Sequence, residues 1–190
     1  MRKGLLVVAA VLLVAGCTGR AGTDNEVPGG PKQNPIGGLA AGVFPALDRE
    51  PAPSLSGRTL KGDDLDLASY RGQVVVINFW GSWCAPCIAE APNLNTVYAK
   101  TKASGVAFVG IDIKDDKSIA RAFERSKKVA YPSLFDPDGL LLLKFKGQAP
   151  QIPPSTFVLD RQGRVAARFL GAVTESELLV PVQALANEKS

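Results

Sequence analysis

The residues Val74-Val75-Val76-Ile77-Asn78-Phe79 run almost directly into Trp83-Cys84-Ala85-Pro86-Cys87. A continuous β-branched run of this kind is the pattern of a strand buried on both faces, which needs elements packed above and below it. The residues that follow the first cysteine have helical character to about residue 104, so the two cysteines fall where a buried strand hands over to a helix. A Cys-x-x-Cys pair in that setting points to thiol–disulfide chemistry. The unpaired N–H groups and the dipole at a helix start stabilise a thiolate, which makes Cys84 the expected nucleophile. Cys87 is one helical turn further on and on the same face, placed to attack a mixed disulfide on Cys84 and release the substrate.

Other uses of two cysteines fit less well. The chain has no histidine, and histidine is the usual general base and a frequent metal ligand. A Ser-His-Asp or Cys-His hydrolase is therefore excluded in its usual form. A closed zinc site needs four ligands, and covalent haem attachment would need histidine after Cys87, where Ile88 stands. A purely structural disulfide would close a very small loop and constrain little of the unfolded chain. No cofactor or metal is expected beyond the redox-active pair itself.

Charge points the same way. The net charge of +4 falls to 20 basic against 18 acidic residues once Arg2 and Lys3 are set aside. No basic stripe interleaved with aromatics appears, so nucleic acid is not an expected partner.

Arg2 and Lys3 precede an apolar run over residues 4–16, which has the form of an export signal. As a helix it would rise about 20 Å, too short for a hydrocarbon core of about 30 Å. Leu13-Val14-Ala15-Gly16-Cys17 resembles the bacterial lipobox, which implies cleavage before Cys17 and a diacylglycerol on its sulfur. Two acyl chains suffice for stable anchoring, so the expected location is the extracytoplasmic face of the cell membrane. Residues 17–53 are rich in Gly, Pro, Asn and Ala without sustained periodicity and read as a flexible linker. The folded domain is expected from residue 54 to residue 190.

Within that domain, residues 58–67 read as a hairpin, 74–79 and 106–111 as buried strands, and 117–127 as an amphipathic helix. Residues 140–145 read as a further strand after the turn at Asp136-Pro137-Asp138-Gly139. A second hairpin joins residues 156–159 to 164–170 through Asp160-Arg161-Gln162-Gly163, and a last helix covers 175–187. The class is α/β, a mixed central sheet flanked by helices.

The run from Val74 to Cys87, together with Glu90 and Pro92, resembles the membrane-anchored disulfide oxidoreductases of the TlpA/ResA type. Asp160-Arg161-Gln162-Gly163 and Gly171 fit that family's terminal hairpin. The resemblance covers the chain from about residue 54 onward and implies a thioredoxin-like fold with an N-terminal hairpin and a central insertion. The insertion has room, because 66 residues separate Cys87 from Pro154 and a plain crossover needs roughly 30. Ile152-Pro153-Pro154-Ser155-Thr156-Phe157 resembles the family's cis-proline loop, with Pro154 as the cis residue facing the cysteines. One departure stands out: Pro153 has no N–H, so the residue before the cis-proline can accept but not donate a backbone bond to a substrate.

The resemblance also implies protein thiols or disulfides as substrates, apocytochrome c among them, with electrons drawn from a membrane thiol carrier. Trp83, Pro86, Pro153 and Pro154 would then form the docking surface. Glu90, one turn beyond Cys87, would take part in proton handling; as a plain helix residue it would simply be solvated. Trp80 reads equally as core or as site. Two alternatives stay open: an oxidant or isomerase in envelope protein folding, and a binding lipoprotein that keeps the fold without the chemistry.

Overall fold

The computed structural model describes residues 42–145 and 152–188. The signal segment, Cys17 and most of the expected linker therefore lie outside the described residues. Among those described, no helix is long and apolar enough to cross a membrane.

In chain order the elements are β1 (Gly42–Val43), β2 (Ser56–Arg58), β3 (Asp64–Asp66), β4 (Val74–Trp80), α1 (Ala85–Thr101), β5 (Val106–Ile113), α2 (Lys117–Lys127), β6 (Ser133–Asp136), α3 (Leu140–Leu143), β7 (Ser155–Leu159), β8 (Val165–Leu170) and α4 (Glu175–Asn187). Six strands form one mixed sheet in the order β1-β8-β7-β4-β5-β6, and β2 and β3 pair as a separate hairpin. All seven residues of β4 are buried. That strand lies between a parallel neighbour, β5, and an antiparallel one, β7, which is why its sequence shows no polar alternation. Val75, Ile77 and Phe79 join one core layer, and Val74 and Val76 join the other with Leu94 and Val97 of α1. The α/β architecture with helices over the sheet is the expected one.

Two local expectations change. Residues 140–145 form the short helix α3 in place of a strand. The Asp136 carboxylate accepts from the backbone N–H of Leu140 and Leu141 at 2.9 and 2.7 Å and so caps the turn. Leu142 and Phe145 enter the core while Leu140 and Leu143 stay exposed. A short apolar run carries no period that separates helix from strand. The strand in this part of the chain is instead β6, which extends the sheet in parallel beyond β5.

The linker expectation also ends earlier than residue 53. Gly42 and Val43 pair with Arg168 and Ala167 of β8, and the Phe44 N–H donates to Ala166 at 2.8 Å. Pro51 bridges to Arg164. Arg49 contacts the Asp160 carboxylate at 3.3 Å and that of Glu188 at 2.7 Å. What orders these residues is the unpaired edge of β8, which local composition does not reveal.

Candidate active site

The site forms where β4 ends and α1 begins. Cys84 is the N-cap of α1, and its Sγ accepts from the Cys87 N–H at 3.3 Å. Pro86 lies in the first turn, where its missing N–H costs nothing and its fixed φ favours the helix. Cys84 and Cys87 are joined by a disulfide with an S–S distance of 2.04 Å and a Cα–Cα distance of 5.3 Å.

Both cysteines are nearly buried, at 4% and 2% exposure. In the oxidised molecule it is the surrounding rim that is open. Ala85 and Pro86 are exposed, and Trp83 is 54% exposed. The Trp83 indole donates to the Ile113 carbonyl at 3.2 Å, which fixes its orientation. Trp80 is buried in one apolar cluster with both cysteines, its ring stacked on Phe123 at 4.7 Å. It therefore belongs to the support beneath the disulfide.

The Pro153–Pro154 peptide bond is cis. Ser155, the next residue, is the register partner of Phe79, so the loop meets the sheet beside the end of β4 from which the cysteine segment departs. Pro154 is buried, Pro153 half-buried and Ile152 exposed.

Glu90 is not a solvated helix residue. It is 1% exposed. One carboxylate oxygen accepts from the Asn78 side-chain amide at 2.9 Å and the other from the Val173 N–H at 3.0 Å. Asn78 also donates to the Thr156 hydroxyl at 3.0 Å. Burial pushes the Glu90 carboxyl up to about 7, against the opposing effect of the Val173 and Asn78 hydrogen bonds. A carboxyl tuned to neutral pH one turn from Cys87 can hold and return a proton. Its partners Asn78, Thr156 and Val173 were not singled out from sequence. Asn78 carried a signal, as the one amide in an otherwise apolar strand. Among the described residues no group of three or more Cys, Asp or Glu side chains is placed to hold a metal ion.

The geometry is that of a thiol–disulfide exchange centre, and comparison with known proteins agrees. Residues 49–168 match the model of the AhpC/TSA family. The ResA thiol-disulfide oxidoreductase of Bacillus thuringiensis subsp. konkukian is 31% identical over 127 residues, covering 67% of this chain and 72% of that protein. The crystal structure of a secreted thiol-disulfide isomerase from Corynebacterium glutamicum superposes with a TM-score of 0.76 at 32% identity, over 84% of this chain and all of that one. A DsbF homologue from Corynebacterium diphtheriae gives a TM-score of 0.69 at 34% identity, over 83% of this chain and 100% of that one. With the fold, the paired cysteines and these relatives in agreement, the chain belongs to the AhpC/TSA family and is a thioredoxin-like thiol–disulfide oxidoreductase of the ResA type.

Proposed function

We propose that the protein acts outside the cytoplasm, held to the membrane by a lipid on Cys17, as a reductant of selected protein disulfides. The Cys84 thiolate attacks a substrate disulfide and forms a mixed disulfide, expelling one substrate thiolate. Cys87 passes its proton to the Glu90 carboxylate, attacks the Cys84 sulfur and releases the second substrate thiolate. The substrate gains two electrons, and the pair ends as the disulfide found in the structure. A membrane thiol carrier then restores both thiols. Trp83, Pro86, Pro153 and Pro154 form the docking rim, and apocytochrome c is the substrate class that the ResA resemblance favours.

The observation that carries this reading is the buried Glu90, held by Asn78 and Val173 and tuned to about 7. A second reading, disulfide formation or isomerisation in envelope folding, is favoured by the Corynebacterium glutamicum protein being a secreted thiol-disulfide isomerase. The reduction potential of the Cys84–Cys87 pair separates the two. About −270 mV or lower marks a reductant, and about −120 mV marks an oxidant. A pair that does not cycle removes both readings.

A further inference from the structure

Glu90 is not the only buried acid near the cysteines. Asp112, the penultimate residue of β5, is 0% exposed, and neither carboxyl oxygen has a hydrogen-bond partner. Buried polar groups are normally paired, so a group left this way calls for a specific reason. Asp112 is the register partner of Trp80, which shares one apolar cluster with both cysteines. The groups that face it are acidic: Asp115 from the loop after β5, Glu124 from α2 and Asp136 from β6. Glu124 in turn lies against the Ser133 hydroxyl. The nearby cations Lys61 and Arg121 act on Glu124.

The loop that follows Asp112 grips the segment leading to Cys84. Asp115 accepts from the Ser82 N–H at 2.6 Å through one oxygen and from the Asp116 N–H at 2.8 Å through the other. The Ile113 carbonyl takes the Trp83 indole. Lys114, between them, has a left-handed φ of 52°, a conformation that a non-glycine residue adopts only when its surroundings impose it. Gly81 gives the indole its space, since a Cβ there would lie 2.6 Å from Trp83 Nε1. Residues 113–115 thus brace Ser82 and Trp83, and Asp112 lies immediately upstream of the brace.

We infer that Asp112 is a positioning residue for the nucleophile's loop: uncharged, it lets Asp115 hold Ser82, and its ionisation repels Asp115 and loosens Ser82 and Trp83 ahead of Cys84. Burial, then Asp115, Glu124 and Asp136, push the Asp112 carboxyl up to about 8. The brace is therefore closed at neutral pH and weakens above it. This role is separate from Glu90, which titrates lower and contacts other elements.

The test is a nitrogen-15 NMR titration of the oxidised protein from pH 6 to 9.5, in which neither cysteine can ionise. The Ser82 amide and the Trp83 indole signals are expected to shift together with a midpoint near 8. Asp112→Asn should hold both signals at their low-pH positions across the range, whereas Glu90→Gln should leave the shift intact. Signals that stay still in the wild type, or that still shift in Asp112→Asn, overturn the inference. Should Asp112→Asn not fold, the wild-type Asp112 carboxyl carbon decides: it must titrate with the same midpoint, and a carboxyl already ionised at pH 6.5 overturns the inference.

Discussion

At the end of β4 that leads to the cysteines, Glu90 is buried with only neutral donors around it, and Asp112 is buried with no donor at all. At the opposite end of the sheet, beyond Leu159, Asp160 is buried as deeply, but Arg49 and Arg164 lie at 3.3 and 2.8 Å from its carboxylate. Backbone N–H groups of Gln162 and Arg164 add two further bonds. Burial raises Glu90 and Asp112. Burial acts on Asp160 in the same direction, yet Arg164 and Arg49 outweigh it and hold the carboxyl below the usual range. One pole keeps its acids protonatable, as redox chemistry needs; the other keeps its acid charged, as a clasp needs. Placement of arginine, more than depth, sets the state of a buried carboxyl.

The largest break in this contrast is Asp160→Ala. It leaves the buried Arg49 guanidinium with the half-exposed Glu188 carboxylate and the Phe44 carbonyl, and removes the anchor of the β7–β8 turn. Loss of one partner of a buried pair costs about 3–5 kcal/mol, measurable by urea unfolding. The potential of the cysteine pair at the other pole should not move.

Glu90→Gln acts at the catalytic pole and in the opposite sense. The folded protein holds the Glu90 proton between 4.5 and about 7, where the unfolded chain has released it. Stability therefore falls as pH rises through that window and levels off above it. At about 1.4 kcal/mol per pH unit this amounts to roughly 3 kcal/mol, and the variant should lack it. Asp160 and Glu188 are held low, so their contribution is present at neutral pH and is lost only as acid protonates them. Together the two poles, with Asp112 adding to the same fall above its ordinary value, put the stability maximum on the acid side of neutrality, in contrast to a protein whose carboxylates are all paired. The same variant should lose about 100-fold in disulfide reduction, the lower end of a general acid–base contribution.

The smallest effect is expected where neither burial nor tight pairing operates. Arg58 and Asp64 meet across the β2–β3 hairpin at 3.3 Å, with side chains 71% and 87% exposed. Asp64→Asn should change the unfolding midpoint by an amount equivalent to less than about 0.5 kcal/mol.

Sequence reading was strongest where one physical cause dominates. The apolar run of β4 can only be a buried strand, and two cysteines at the following helix start point to exchange chemistry, so the reactive pair was legible from residue types alone. The cis Pro154 was legible through the family resemblance. What escaped depends on contacts made far along the chain. The sequence ended β5 at residue 111, before the aspartate, whereas the strand runs on through Asp112 to Ile113; an acid deep in a sheet has no local signature. Glu90 gave its spacing but not its burial, which Asn78, Thr156 and Val173 create from three other parts of the chain. The β1 segment looked like linker because its only order comes from β8.

The proposed exchange needs Cys84 as the attacking sulfur and Cys87 as the resolving one. Its most direct test is to incubate reduced Cys87→Ser protein with a disulfide-linked peptide and look for a covalent adduct by mass spectrometry. A stable mixed disulfide at Cys84 is expected, because the residue that would resolve it is gone, and Cys84→Ser should trap nothing under the same conditions. An adduct that forms only when Cys87 is present, or none with either variant, would contradict the assignment.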